Sequence, residues 1–200
     1  MVLVKTTISK RSERTKSDLK AAFIELIHEN GYSHLTITDI VTKSGYNRTT
    51  FYLHFIDKNH ITEELRKEMF NKVKQQCFNR YEENKRIHVQ EMDPYSFELM
   101  KFIYVNQDFF NLYIKEDTIP GILQDLPLAI FEALEERFVL TPIHSTSINS
   151  KTNKLYMAHG TAGLIIDWIK SGYQASPNEM TQQLIRILQS FVKDFTITSI

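Results

Sequence analysis

Between Thr36 and Phe55 the chain carries the punctuation of two short helices and a tight turn, and little else fits there. Thr36-Ile37-Thr38-Asp39 reads as a capping box with aspartate in glutamate's usual place. The helix it opens buries Ile40 and Val41 and stops at Gly45, where the turn needs positive φ. Asn47 caps the next helix, expected from about Arg48 to His54. Tyr46, Phe51 and Phe55 supply the apolar side that joins the two helices. That leaves Arg48, Thr49, Tyr52 and His54 facing outward, side chains that can reach base edges and phosphates. The proportions are those of a helix-turn-helix.

Helical spacing dominates the rest. Leu19, Phe23, Leu26 and Ile27 follow one helical face, with Thr15 or Ser17 as the cap and Gly31 as the left-handed stop. A fourth helix is expected from Asp57 to about Asn84, with Ile61, Leu65, Met69, Val73 and Cys77 at four-residue steps. Asp93-Pro94 opens a further helical stretch, and helices are expected over 94–105, 107–115 and 126–139, with Pro120 and Pro127 blurring the boundaries. Thr141 to Ser150 reads as a loop. A long helix over 151–171 closes at Gly172, and a full capping box at Ser176-Pro177-Asn178-Glu179 opens the last one. On that last helix Leu184, Ile187, Leu188, Phe191 and Phe195 form a wide apolar face. The chain contains no repeat and no low-complexity segment. It reads as all-α.

Net charge is zero over 200 residues, yet residues 1–58 carry nine Lys/Arg against six acids, so the basic surplus sits at one end. No apolar run approaches the ~18–20 residues of a membrane span, and the first residues lack a secretion signal. A cytoplasmic location is expected, and the single cysteine, Cys77, fits a reducing compartment. The seven histidines are scattered without the spacing of a zinc site, and no phosphate-binding glycine loop or nucleophile elbow is present. Neither an enzyme activity, a cofactor nor a metal is expected.

The run Gly31-Tyr32, Thr36-Ile37-Thr38-Asp39-Ile40-Val41, Ser44-Gly45-Tyr46, Thr50-Phe51-Tyr52-Leu53-His54-Phe55 and Lys58 resembles the N-terminal domain of TetR-family transcriptional regulators over about residues 14–65. It departs from the family pattern at Tyr46 (usually valine), Asn47 (usually serine) and Thr49 (commonly glycine). Further on, Asn106-Gln107-Asp108-Phe109-Phe110, Gly160-Thr161-Ala162-Gly163, Trp168 to Gly172 and Ser176 to Met180 are similar to one C-terminal subtype of that family. The resemblance implies a TetR-like all-α fold: a DNA-binding domain at 1–60, with a flexible basic tail over 1–14, and an effector-binding and dimerising domain at 61–200. It implies double-stranded operator DNA, a second copy of the chain and an effector as partners, most simply in a repressor released by that effector. The candidate DNA-binding residues are Thr36, Thr38, Asn47, Arg48, Thr49, Thr50, Tyr52, Leu53, His54 and Lys58. The tail residues Lys5, Lys10, Arg11 and Arg14 either follow phosphates or are simply solvated.

Phe102, Tyr104, Phe109, Phe110, Tyr113, Phe131 and Trp168 either line an effector pocket or fill a solid aromatic core. Resemblance favours the pocket. The small residues Ala158 and Ala162, with Ile165 and Ile169, and the face Leu184, Ile187, Leu188 and Phe191 are the candidate two-fold interface, also on resemblance. Two rivals are a helical enzyme built on the aromatic cavity and a regulator or adaptor whose body docks a protein.

Overall fold

Leu19, Ala22, Phe23, Leu26 and Ile27 recur at three- and four-residue steps and are all buried, which makes one side of the first helix the floor of a core. In the computed structural model, which describes residues 2–143 and 150–198 with side-chain detail from Lys10 onward, that helix is α1 (Val2–Asn30). Neither Thr15 nor Ser17 caps it. The Thr15 hydroxyl donates to the Arg11 carbonyl at 3.0 Å, inside a helix that already includes the expected flexible tail. The side chain of Lys5 lies outside the described residues.

The chain divides into two units, neither of them continuous in sequence: residues up to Glu68 with Asn111–Pro120, and Met69–Phe110 with Gly121 onward. The first unit holds α1, α2 (Ile37–Ser44), α3 (Arg48–Tyr52) and the start of α4 (Lys58–Gln76). Phe23, Ile27, Ile40, Phe51, Phe55 and Ile61 form its centre and are essentially solvent-free. The borrowed segment is tied in by Asp117. Its carboxylate accepts the Ser33 N–H at 3.1 Å and the Ser33 hydroxyl at 2.8 Å, and its carbonyl accepts the Tyr32 N–H at 3.2 Å. The Ser33 hydroxyl is the main reason that the Asp117 carboxyl titrates below its ordinary range. Gly31, at φ 79°, must be glycine twice over, because a Cβ there would also overlap that carboxylate.

The second unit is built on α7 (Ile122–Arg137) packed against α8 (Ser150–Lys170), and Ala129, Ala133, Ala158 and Ala162 on these two helices are all buried. To these it adds α5 (Leu99–Val105), α6 (Gln107–Phe110) and α9 (Pro177–Leu188). The Ser176/Glu179 capping box that opens α9 is complete, and Gly172 at φ 71° closes α8. A three-stranded antiparallel sheet completes the unit: β1 (Arg86–His88), β2 (Phe138–Pro142) and β3 (Val192–Ile197), in the order β1-β3-β2.

The sheet accounts for most differences from the sequence expectation. α4 ends at Gln76 instead of Asn84, because Asn84, at φ 61°, donates its N–H to Ile197 at 2.7 Å and turns the chain into β1. α9 ends at Leu188. Phe191 lies beyond the helix and Phe195 is a buried residue of β3, where Val192, Asp194 and Ile197 are buried as well. Thr141 and Pro142, expected in a loop, belong to β2, and residues 144–149 of that loop, with His144, lie outside the described residues. Asp93 organises a turn through the Tyr95 and Ser96 N–H groups, and α5 waits until Leu99. α6 gives way to a 3₁₀ turn at Asn111–Ile114, and α7 starts at Ile122 and runs through Pro127. Among the described residues, no helix is long and apolar enough to cross a membrane, and no three His, Cys, Asp or Glu gather as a metal site.

Asp194 on β3 is 1% exposed, yet charged. The Arg86 guanidinium donates to it at 2.7 Å across the β1–β3 pair and, with Thr141 second, holds its carboxyl below the usual range. Arg86→Ala should therefore destabilise the fold by leaving a buried carboxylate short of a donor. A group with a lowered folded pKa stabilises fully above its unfolded value and stops doing so as pH falls through the folded one. In urea titrations from neutral pH downward, the gap between wild type and Arg86→Ala should close only below the ordinary aspartate pKa of about 3.9.

Candidate nucleic-acid interface

α2 and α3 are held at a fixed angle by their ends. The Thr36 side chain accepts the Asp39 N–H at 3.3 Å while Asp39 accepts the Thr36 N–H at 2.9 Å. This reciprocal bonding holds the Asp39 carboxyl below its usual range, the Thr36 hydroxyl being the larger cause. At the other end Gly45, at φ 73°, passes its N–H to Thr42, and Tyr46 passes its own to Val41 at 2.9 Å. Asn47 then accepts the Thr50 N–H at 2.8 Å and starts α3. Phe51 and Phe55, 5.5 Å apart between ring centroids, pin α3 to the core.

These bonds sort the ten candidate residues. Thr36 and Asn47 are caps, and the Thr50 hydroxyl is spent on Asn47 at 3.1 Å. Thr38, Arg48, Thr49, Tyr52 and Leu53 are exposed and His54 is half-buried, all on or beside α3 and the start of α2. Leu53, which could have packed inward, is 76% exposed. The Arg48 guanidinium donates to the Thr38 hydroxyl at 2.6 Å, so two candidates on different helices form one group. Lys58 is half-buried: its ammonium donates to the Tyr32 carbonyl at 3.1 Å and lies 4.4 Å from the centre of the Tyr32 ring. Sequence reasoning missed Asp18, which accepts the Tyr46 hydroxyl at 2.9 Å. The only sequence signal for it was the departure at Tyr46 itself.

Two family descriptions match: "Bacterial regulatory proteins, tetR family" over residues 19–65, and "Transcriptional regulator C-terminal region" over residues 90–190, half of the chain. The chain belongs to the TetR family of transcriptional regulators. It is 21% identical over 174 residues to the uncharacterized HTH-type transcriptional regulator YxbF of Bacillus subtilis (strain 168). That match covers 86% of this chain and 44% of the relative, so the chain spans less than half the length of that curated protein. Among solved structures it resembles a TetR transcriptional regulator from Streptococcus agalactiae 2603V (TM-score 0.61, 20% identity, 94% of this chain and 99% of that one). It also resembles the dihydroxyacetone kinase operon activator DhaS (TM-score 0.60, 16% identity, 88% and 94%).

In this TetR-family member the candidate effector and interface residues fall differently from expectation. Phe70, Phe102, Phe109 and Phe110 pack edge to face at 5.3–6.0 Å, and Tyr104 stacks on Trp168 at 6.2 Å, so these rings fill one another's space. Tyr113 belongs to the first unit and Phe131 is half-buried on α7. A cavity of about 60 Å³ does exist in the second unit, between Cys77, Phe97, Leu134, Met157, Leu184 and Phe195 among others, and none of the seven candidate aromatics lines it. Burial pushes the Cys77 thiol there up to about 12, which leaves it an unreactive wall. Of the candidate interface residues, Ala158, Ala162, Ile165, Ile169, Leu184 and Leu188 are buried within the chain's own core. Phe191 is half-buried off the helix, and Ile187 alone is exposed.

The division between caps and outward residues can be measured. Asn47→Ala should lower stability by about 1 kcal/mol through loss of the α3 cap, whereas Thr49→Ala, at an exposed position with its hydroxyl free of capping work, should stay within about 0.5 kcal/mol. Chemical denaturation of the two variants beside wild type makes the comparison.

Proposed function

We propose that the chain is a DNA-binding regulator that works as a homodimer, with α3 of each copy in successive major grooves of an operator and the second unit setting how well both heads fit. The observation that carries this reading is the exposed group around α3, Arg48 with Thr38, then Thr49, Tyr52 and Leu53, on a helix whose caps leave these side chains outward. Arg48 offers a guanidinium for guanine O6 and N7, and Leu53 an apolar surface for a thymine methyl. Two such heads about one DNA turn apart, ~34–36 Å, span two half-sites. Bound across a promoter, the dimer would act as a cytoplasmic repressor released by an effector that prefers the other state. DhaS is named an operon activator, and a head of this kind serves that sense when its operator lies upstream.

The face offered to a second copy is the outer side of α8, not the buried one. Tyr156 is 75% exposed, Leu155 is exposed beside it, and Gly160 and Gly163 have open space where a side chain would stand. Exposed Ile187 extends the apolar character onto α9. For the effector, the cavity of about 60 Å³ is far below the ~300–1,000 Å³ of ordinary ligand pockets, whereas an open cleft of about 550 Å³ lined by Leu140, Pro142, Tyr156, Met157 and Phe191 among others has room for a small molecule.

Three variants test the reading. Arg48→Ala should lose about 1–3 kcal/mol of discrimination at one base position of a duplex selected from a random pool. Lys58→Ala should weaken all duplexes alike, lower the salt slope by about 1 for each phosphate no longer neutralised, and also lower the melting temperature, since its bond to Tyr32 goes with it. Tyr156→Glu should split the dimer in sedimentation while leaving the melting transition in place, whereas Leu188→Glu should unfold the chain. Wild type that binds no duplex, or that sediments as a monomer at micromolar concentration, contradicts the proposal.

A further inference from the structure

Side chains in the first half of α1 and at the far end of α3 face each other across an open cleft of about 1,070 Å³. Lys10, Arg11 and Arg14 stand on one wall, and Thr50, Leu53 and His54 on the other. Among the described residues, no carboxylate lines it. Tyr46 also lines the cleft and joins the two walls, since its hydroxyl donates to Asp18 of α1 at 2.9 Å while its backbone leads directly into α3. Asp18 also draws Arg14 to within 4.0 Å, one helical turn back, while the Arg14 side chain stays 85% exposed.

We propose that Tyr46 and Asp18 form a tie that sets the distance between α1 and α3, so that Lys10, Arg11 and Arg14 grip the phosphate strand flanking the groove that α3 reads. This rests on the DNA-binding reading and deepens it: the tie is a positioning device and Tyr46 touches no base. A cleft rich in cations with an open mouth suits a polyanionic strand, which needs charge along its length but no enclosure. The tie matters because side chains on two helices can follow one strand only if the helices keep a fixed separation. Valine at position 46, usual in the family, has no hydroxyl for Asp18, so the device belongs to this chain and not to the motif.

The experiment uses duplexes selected by the wild-type full-length chain, each made in two lengths: ending at the last selected base pair, or extended by about six pairs on both sides. Wild type should prefer the extended form, about 10-fold at low salt, and its salt slope should be steeper there. Tyr46→Phe, which keeps the ring, should lose that preference while ranking selected over scrambled duplexes as wild type does. The Arg11→Gln/Arg14→Gln double variant, altered only at exposed side chains, should lose the preference and lower the slope by about 1 for each phosphate released in each head. Asp18→Asn keeps an acceptor for the phenol and should retain most of the preference, where Asp18→Ala should not. Wild-type binding with Tyr46→Phe and the arginine variant indistinguishable from it at both lengths overturns the tie and the cleft alone. Wild type that binds no duplex overturns the DNA-binding reading and the tie with it.

Discussion

A five-residue helix has no stability of its own in water: it must fix several residues for a single turn of hydrogen bonds. α3 therefore exists only as far as its surroundings impose it, and everything that can meet DNA inherits its position from that imposition. Phe51 does most of the imposing, buried completely among Phe55, Tyr52 and the α1 core. Gly45 and Asn47 fix how the chain enters, one by its left-handed backbone and the other by its side-chain oxygen. With those three constraints satisfied, the outward residues are not needed to hold the helix. Leu53 and Tyr52 can then remain exposed where apolar side chains would ordinarily be drawn inward.

The parts of the fold that were legible in the sequence are those governed by neighbours three or four residues apart. Both capping boxes, the stops at Gly31, Gly45 and Gly172, and the helix-turn-helix with its outward residues all follow from such short-range chemistry. The sheet does not. Arg86 pairs with Thr196, Phe138 with Ile197, and neither strand shows its partner over that separation. Val192 to Ile197 also places Phe195 where a helical count from Leu184, Leu188 and Phe191 would land, so a strand passed for the end of a helix. The small residues of α8 are ambiguous for a different reason. Ala158 and Ala162 are buried within the chain, and a sequence cannot say whether such residues meet a helix of the same chain or of another. The aromatic candidates were divided in the same way between pocket and solid core, and their edge-to-face packing answers for the core.

Asn111–Pro120 belongs by contact to the unit that carries the helix-turn-helix although its sequence neighbours belong to the other. The backbone therefore passes between the units three times, within α4 and at both ends of this segment. Its attachment is specific. The Asp117 carboxylate lies where a Cβ at position 31 would stand, and it is held there by Ser33 through both backbone and hydroxyl. Lys115 adds a bond to the His28 carbonyl at 3.1 Å, at the end of α1 where backbone acceptors are left over. The segment is thus fastened to the end of α1 and to the 31–34 turn through both backbone and side-chain bonds.

The bond between Arg48 and Thr38 bears on what reading a base would cost. A free arginine gives up considerable rotamer entropy on docking, and a guanidinium held beforehand has already given up part of it. At 2.6 Å from the Thr38 hydroxyl, the Arg48 side chain is restrained by a residue of α2, which is itself fixed by the Thr36 box. One of five N–H donors is engaged there, and the remaining fork still has the parallel pair that guanine O6 and N7 require. Thr38 is thus better placed as the support of Arg48 than as a reader in its own right. The same logic separates Lys58, whose bond to Tyr32 serves the head's own fold first. On the proposed DNA-binding reading, the bases would then be left to Arg48, Thr49, Tyr52 and Leu53, with the cationic cleft on one flank supplying charge that carries no sequence information.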